Sequence, residues 1–249
     1  MSKEFETRTG GDARASIEPF SIESSSIELS SSEPFVDRSV DPNVVGFLHR
    51  PASAVKDALV LTHGAGSNCR TQLLVELAEA FARAGMLVLR CDLPYRQNSP
   101  SGPPRPGNAE RDQEGLRNAV LAMRDLAHGR IFLGGHSYGG RQSSMLTAAT
   151  PDLVDGLLLL SYPLHPPRKA QQLRTQHFSQ LRTPVLFVHG TRDPFGSEEE
   201  LTEAVRLIPA QTSLLFLAGA GHDLKVGKSA ELALSAKLLE RFRRFFSGA

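Results

Sequence analysis

The chain has 249 residues, of which 40% are hydrophobic and 22% are charged, and its formal net charge is +1. This composition is ordinary for a folded globular protein, and the length suits one large α/β domain or two small domains. The balanced charge provides neither a basic footprint for nucleic acid nor a polybasic patch for an anionic membrane. We therefore expect no nucleic-acid partner and no membrane partner.

Cysteine usage and the apolar runs bear on the compartment. The two cysteines, Cys69 and Cys91, lie outside any CxxC or Cys/His metal-ligand spacing, which predicts free thiols, no metal site and a reducing cytoplasm. The first residues, MSKEFETRTGGDARAS, lack the apolar stretch of a signal peptide. The longest apolar run, GLLLL, is too short to cross a bilayer. A soluble cytoplasmic protein is predicted.

The first forty residues differ in composition from the rest. A degenerate five-residue repeat, SIEPF-SIESS-SIELS-SSEPF, runs from Ser16 to Phe35 and is rich in Ser and Glu. A period of five fits neither a strand nor a helix, and the sparse apolar residues cannot offset the entropy of ordering. We predict a flexible tail over residues 1–40 and one domain over residues 41–249. An ordered N-terminal hairpin of short edge strands is the alternative, because the isoleucines still permit such strands.

From residue 44 onward, apolar runs alternate with helical patterns. The runs lack clean two-residue alternation, as expected of strands buried on both faces, and cover residues 44–48, 58–63, 86–92, 130–135, 156–162, 184–190 and 213–219. Helices are predicted between them over residues 71–85, 110–129, 138–150, 197–209 and 231–248. This alternation predicts an α/β fold with a mostly parallel, doubly wound sheet and helices on both faces.

One glycine-rich stretch, GGHSYGG, follows the apolar run at residues 130–135 and precedes a predicted helix. It places Ser137 in a G-x-S-x-G pattern, the strand-to-helix elbow that exposes a nucleophile. Gly135 and Gly139 flank the serine where a Cβ would obstruct the approach of the two elements. A sharp turn without any catalytic role would also favour small residues here. The residues at the other strand ends therefore decide between a plain turn and a nucleophile elbow.

An acid and a base follow two later strands of the predicted sheet. Asp193 comes after residues 184–190, and His222 comes after residues 213–219. The carboxyl ends of parallel strands share one edge, where ligands gather, so both side chains should meet Ser137 there. The chain order Ser, Asp, His predicts that Ser137 is the nucleophile, His222 the general base, and Asp193 the group that orients the imidazole.

The oxyanion of such a reaction needs backbone donors. We predict the N–H of Tyr138, directly after the nucleophile, and the N–H of Ala65 in the sequence HGAG after residues 58–62. Three further residues are expected to line a substrate pocket: Gly64, Tyr95 and His165. Other side chains at this edge are weaker candidates, namely the histidines expected to pack or bond locally (His63, His136, His189) and the acids Asp92 and Asp223.

These motifs together resemble known proteins. LTHGAG, LVLRCDLPYR, GGHSYGGRQSS, SYPLHPP, LRT, VHGTRDPFG and GAGHDLK run in order from residue 61 to residue 225. The chain resembles the dienelactone-hydrolase-like branch of the α/β-hydrolase superfamily. More narrowly, it is similar to an uncharacterised hydrolase-like family named for a testis-expressed protein and a subunit of a chromatin acetyltransferase complex. The resemblance implies the α/β-hydrolase fold and places Ser137, Asp193 and His222 in triad positions, while Cys91 and Ser161 depart from the family's usual residues.

The connections predict an open site. Residues 164–182 leave room for one short helix, over residues 168–181, but not for a cap domain. A Pro/Gly-rich loop over residues 95–108 carries Arg96 and Arg105, which either meet an anionic substrate or are solvated charges. We predict a serine hydrolase that cleaves small carboxylic esters or related acyl compounds without a cofactor. The alternative is a catalytically weak scaffold module, since some relatives act as scaffold subunits. The oligomeric state stays open.

Overall fold

The computed structural model describes residues 31–52, 54–225 and 231–247. One sheet holds all eight described strands: β1 Ser31–Asp37, β2 Val44–Arg50, β3 Ala58–Thr62, β4 Leu87–Cys91, β5 Ile131–His136, β6 Gly156–Leu160, β7 Val185–Gly190 and β8 Thr212–Leu217. The helices are α1 Gln72–Arg83, α2 Pro94–Asn98, α3 Asn108–Arg124, α4 Tyr138–Ala149, α5 Glu198–Ala204 and α6 Glu231–Phe246.

The strand order is β1-β2-β4-β3-β5-β6-β7-β8. β2 pairs antiparallel with both β1 and β4, whereas every pairing from β4 across to β8 is parallel. The carboxyl ends of β5, β7 and β8 therefore lie on one edge, as the sequence predicted for the residues that follow them.

Apolar side chains from the two faces of the sheet form two separate cores. Every residue of β3, β6 and β7 is buried, which explains why these strands are apolar throughout rather than alternating. One core packs α3, α4 and α5 against one face, with Leu116, Leu146 and Leu201 in it. The other packs α1 and α6 against the opposite face. This two-faced packing confirms the predicted α/β fold, a mostly parallel sheet with helices on both faces.

The ordered domain begins earlier than the predicted boundary at residue 40. Residues 31–37, assigned by the sequence to the tail, form the edge strand β1 and pair along their full length with β2. Pairing explains the difference, because an edge strand needs one neighbour rather than a buried apolar face. The remainder of the predicted tail, residues 1–30, lies outside the described residues.

Two local predictions need correction. No α-helix forms over residues 168–181; the segment holds turns and one 3₁₀ turn at Phe178–Gln180. Conversely, the Pro-rich loop contains the unpredicted α2, for which Pro94 supplies a pre-set first position. A capping box of Ser197 and Glu200 begins α5. Cys69 and Cys91 are buried and free.

The connection between β6 and β7 inserts no domain above the sheet edge. In the described part of the chain, no helix has the length and apolar character needed to cross a membrane.

Candidate active site

Ser137 occupies a strained turn between β5 and α4. Its φ and ψ are 52° and −114°, a conformation that a non-glycine residue rarely adopts. Two backbone bonds hold the turn: Ser137 N–H donates to Leu160 O at 2.8 Å, and Gly139 N–H donates to His63 O at 3.1 Å. A Cβ on Gly139 would come within 2.5 Å of that His63 oxygen. The glycine beside the serine is thus required by close approach, as the sequence predicted.

Three side chains at this edge form one hydrogen-bonded chain. His222 Nε2 lies 2.8 Å from Ser137 Oγ, and His222 Nδ1 lies 2.8 Å from Asp193 Oδ2. Because a carboxylate only accepts, Nδ1 carries the proton toward Asp193 and Nε2 is left to accept the proton of Ser137. Asp193 is 6% exposed, and its Oδ1 accepts the N–H of Phe195 at 2.9 Å. The arrangement can remove a proton from the Ser137 hydroxyl.

The imidazole of His222 is held by two aromatic neighbours. Phe195 lies against it with ring centroids 4.3 Å apart and planes inclined by 34°. His136 donates from Nε2 to the carbonyl oxygen of His222 at 2.7 Å. Burial lowers the pKa of His136 to about 4, so this ring is neutral near pH 7. His136 thus positions the loop of His222 without adding a charge beside it.

The peptide between Gly64 and Ala65 has a fixed orientation. The carbonyl oxygen of Gly64 accepts from His63 Nδ1 at 2.9 Å, Ser67 N–H at 3.1 Å and the Tyr95 hydroxyl at 3.1 Å. Since a trans peptide is planar, the Ala65 N–H points away from this bonded oxygen. The Tyr138 N–H is oriented in the same way, because Ser137 O accepts the Arg141 N–H at 3.0 Å. As the first amide of α4, it has no acceptor inside the helix.

A buried carboxylate, that of Asp112, connects Tyr95 with Tyr138. Asp112, on α3, is fully buried and accepts the Tyr95 N–H at 3.0 Å and the Tyr138 hydroxyl at 2.8 Å. The rings of Tyr95 and Tyr138 meet edge to face with centroids 5.8 Å apart. Burial raises the pKa of Asp112, and these two hydrogen bonds oppose that rise. Asp112 therefore ties Tyr95, which holds the HGAG loop, to Tyr138, the residue after Ser137.

Arg96 clamps the Pro-rich loop to the same HGAG loop. It is only 6% exposed, and its guanidinium donates to four carbonyl oxygens, those of Ala65, Ser67, Ser99 and Gly102, at 2.7–3.3 Å. The sequence allowed two roles for Arg96, contact with an anionic substrate or a solvated charge. The structure shows a third role. Arg96 braces two loops.

The comparisons with known proteins agree with this geometry. A family model described as an alpha/beta hydrolase domain matches residues 55–246. The chain belongs to the alpha/beta hydrolase family. Similar solved structures include the dienelactone hydrolase from Anabaena variabilis, with a TM-score of 0.70 and 18% identity over 87% of this chain and 99% of that chain. Est1E from Butyrivibrio proteoclasticus has a TM-score of 0.69 and 16% identity over 88% and 100% of the two chains. An α/β serine hydrolase without lid from Xanthomonas campestris has a TM-score of 0.67 and 18% identity over 86% and 94%.

At these identities the likeness of the solved structures concerns the fold. The fold and the family together support a hydrolase, and the dienelactone-hydrolase-like resemblance holds at the level of structure.

The predicted pocket residues of this alpha/beta hydrolase lie in different surroundings. Gly64 packs against the elbow, where a Cβ would lie 3.0 Å from His136 Nδ1. Tyr95 is 4% exposed, and its hydroxyl is bonded to the HGAG loop. His165 is 5% exposed, with Nδ1 2.8 Å from Pro166 O and Nε2 3.1 Å from Glu200 Oε2. Both His165 nitrogens are occupied, so the ring joins its own segment to α5 instead of offering a nitrogen to substrate.

The weaker candidates of the alpha/beta hydrolase domain bond locally. His63 receives the Leu93 N–H on Nε2 at 3.1 Å, and His189 Nε2 donates to Gly196 O at 2.8 Å. Asp92 accepts the Cys69 N–H, and Asp223 accepts the Lys225 N–H. None of these four bonds reaches Ser137, which leaves Asp193 and His222 as its partners.

Sequence reasoning missed Asp112 in this hydrolase and misread Arg96. Asp112 stands in the helical stretch ERDQEG, where an acidic residue is normally read as solvent-facing. The only signal in the sequence is helical spacing, which puts Asp112 on the same face of α3 as Leu116 and Ala119, both of which are buried.

Proposed function

We propose that this alpha/beta hydrolase is a serine hydrolase that cleaves carboxylic esters or related acyl compounds through an acyl-enzyme. The observation that carries the proposal is the hydrogen-bonded chain from Ser137 Oγ through His222 to Asp193, with both distances at 2.8 Å. A serine hydroxyl becomes a strong nucleophile only when a base takes its proton during attack. If these three residues only stabilised the fold, the hydrogen bonds would not need to end on a serine with strained backbone angles.

The proposed reaction has two halves. Ser137 Oγ attacks the ester carbonyl carbon while His222 Nε2 takes the hydroxyl proton, which gives a tetrahedral oxyanion and an imidazolium. Collapse of the oxyanion breaks the bond to the alcohol oxygen, and His222 returns the proton to that oxygen. Water then attacks the acyl-enzyme, again with His222 as base, and releases the carboxylic acid and Ser137.

Asp193 and the two backbone amides have separate roles in these steps. Asp193 keeps the Nδ1 proton in place and stabilises the imidazolium without taking the proton. The N–H groups of Ala65 and Tyr138 receive the oxyanion, and each such donor is worth about 2.7–4 kcal/mol in the transition state. Tyr95 and Asp112 hold these donors in position.

Finer assignments belong to the same proposal. The order of the motifs, above all GTRDPFG and YPLHPP, supports the narrower family named for the testis-expressed protein and the acetyltransferase-complex subunit. The two free cysteines support a cytoplasmic location. The partner is a small-molecule ester or acyl substrate.

Labelling with a fluorophosphonate tests the proposal. The reagent phosphonylates an activated serine and releases fluoride, so the wild-type protein should be labelled and Ser137→Ala should not. Ser179→Ala, which removes an exposed serine, is the matched control and should label like the wild type. A folded wild-type protein that takes no label and turns over no 4-nitrophenyl ester would contradict the proposal and favour the scaffold role.

A further inference from the structure

Two arginines lie on the elements that adjoin Ser137: Arg141 on α4 and Arg174 on the connection after β6. Arg141 stands one turn along α4 from Ser137, and its N–H donates to Ser137 O at 3.0 Å. The Arg141 side chain hydrogen-bonds the Tyr162 hydroxyl, and its positive charge opposes the burial that raises the pKa of Tyr138, the residue after Ser137. The Arg141 Nε is buried and has no hydrogen-bond partner.

Arg174 is anchored to the segment that follows β6. Its N–H donates to Leu164 O at 2.8 Å, its carbonyl oxygen accepts the Tyr162 hydroxyl at 2.6 Å, and its guanidinium reaches Pro163 O at 3.3 Å. The same segment begins beside the nucleophile, since Leu160 O at the end of β6 accepts the Ser137 N–H. Arg174 is therefore held against residues 162–164, which directly follow β6.

The register between α4 and this segment brings the two arginines together. Ser144 Oγ lies 2.8 Å from His177 Nε2. Three residues before Ser144, one turn of α4 closer to Ser137, stands Arg141. Three residues before His177 stands Arg174. The Tyr162 hydroxyl joins them, since it contacts the Arg141 side chain and donates to the Arg174 carbonyl oxygen. Their charges affect one another: after burial, the positive charge of Arg141 is the next cause that lowers the pKa of Arg174. Burial and the same charge lower the pKa of His177 to about 4.

No described carboxylate neutralises this pair. Neither Arg141 nor Arg174 takes part in any ion pair within the described ranges, whereas Arg130 pairs with Asp57 and Arg111 with Asp41. Two partly buried like charges destabilise a fold unless an anion lies between them. A guanidinium fork matches a planar carboxylate with two parallel hydrogen bonds.

We propose that Arg141 and Arg174 form an anion-binding subsite that receives a carboxylate carried by the ester substrate, such as the free acid group of a dicarboxylic half-ester. The inference rests on the proposed function and specifies its substrate class. The subsite binds a part of the substrate that does not react, so its loss acts mainly on KM rather than on kcat.

A pair of matched esters tests the subsite kinetically. 4-Nitrophenyl hemisuccinate carries a carboxylate, whereas 4-nitrophenyl butyrate has nearly the same length and is neutral. The wild type should prefer the hemisuccinate in kcat/KM. Arg141→Gln and Arg174→Gln should each lower kcat/KM for the hemisuccinate about 10- to 100-fold, the range of a lost charge-assisted hydrogen bond. Butyrate turnover should change less than about threefold, because no carboxylate is lost. Arg182→Gln, at an exposed arginine of the same connection, should change neither rate.

A binding measurement separates failure of the subsite from failure of the proposed chemistry. Ser137→Ala should bind monomethyl succinate in calorimetry and should lose that binding when Arg141→Gln is added. This result would uphold the subsite even if the wild type turned over no ester. Equal losses on both esters in the arginine variants, or binding unaffected by Arg141→Gln, would overturn it. Tighter binding of inorganic phosphate than of monomethyl succinate would also overturn the assignment to a carboxylate.

Discussion

His136 Nε2 donates a hydrogen bond to the carbonyl oxygen of His222, across a distance of 2.7 Å. The residue immediately before Ser137 thus holds the backbone of His222, so that two neighbouring members of the hydrogen-bonded chain share one support. The two rings also contact each other, with centroids 5.1 Å apart.

Replacing His136 by Phe should loosen His222 while filling the same space. We expect kcat for a neutral 4-nitrophenyl ester to fall about tenfold with little change in KM, because a base misplaced by a fraction of an ångström is a poor proton acceptor. Steady-state kinetics measure the split, and His128→Phe at an exposed histidine is the control. An unchanged kcat would show that His222 needs no support from His136.

Asp193→Asn should leave the fold intact and remove most of the activity. An amide placed against His222 Nδ1 favours the wrong tautomer, and the corresponding change in a serine protease lowers kcat about 10⁴-fold. Circular dichroism checks folding and ester turnover checks activity, with Asp223→Asn as the control near the base. Turnover within tenfold of the wild type would assign the orienting role to another acid.

Asp112→Ala should impair the oxyanion donors from a distance. The Tyr138 hydroxyl and the Tyr95 N–H lose a buried acceptor, which costs about 1–3 kcal/mol of stability for each unsatisfied group. We expect kcat to fall more than KM changes, and labelling by the fluorophosphonate to slow in parallel. Asp125→Ala, at the end of the same helix, should do neither. Asp112→Asn, which still offers an acceptor to the Tyr95 N–H, should recover part of the rate.

The free energy of unfolding should fall when the pH drops below 6.5, the ordinary pKa of histidine. Burial first, and then the Arg90 charge, lower the pKa of His49 from 6.5 to about 4, so between these values the unfolded chain binds a proton that the folded chain does not. Stability is therefore lost as the pH falls from 6.5 toward 4, and each pKa unit of difference is worth about 1.4 kcal/mol.

Urea unfolding at pH 7.5 and pH 5 measures this effect. His49→Gln keeps an acceptor for the Arg90 Nε–H, which lies 2.8 Å from His49 Nε2, and should show a smaller drop between the two pH values. His128→Gln, at an exposed position, should show the full drop of the wild type. Identical drops in His49→Gln and the wild type would contradict the assigned proton.

The fold could be predicted because its cause is local in the sequence. The runs ALVLT and GLLLL are apolar at every position, and both strands are buried on both faces. The elbow was equally readable, since Gly139 must accommodate a backbone oxygen wherever such a turn forms. The hydrogen-bonded neighbours of Ser137 followed from the rule that residues after parallel strands meet at one edge.

The supporting residues could not be predicted because their partners are far away in sequence. Asp112 bonds to Tyr95 and Tyr138, and Arg96 bonds to Ala65 and Ser67, contacts that exist only once the sheet has brought the loops together. His165 was placed on the pocket wall from its position after a strand, yet Glu200 from α5 reaches it and occupies its ring. Edge strand β1 corresponds to the less favoured alternative of ordered N-terminal edge strands, because its ladder with β2 cannot be read from its own composition.

In the proposed function, the connection from residue 161 to residue 184 carries one half of the anion-binding subsite and none of the groups that react. It holds Arg174, but Ser137, Asp193, His222 and both oxyanion amides belong to other connections. Exchange of this single segment, with β6 and β7 left as they are, is therefore the natural route to an enzyme of altered acyl preference.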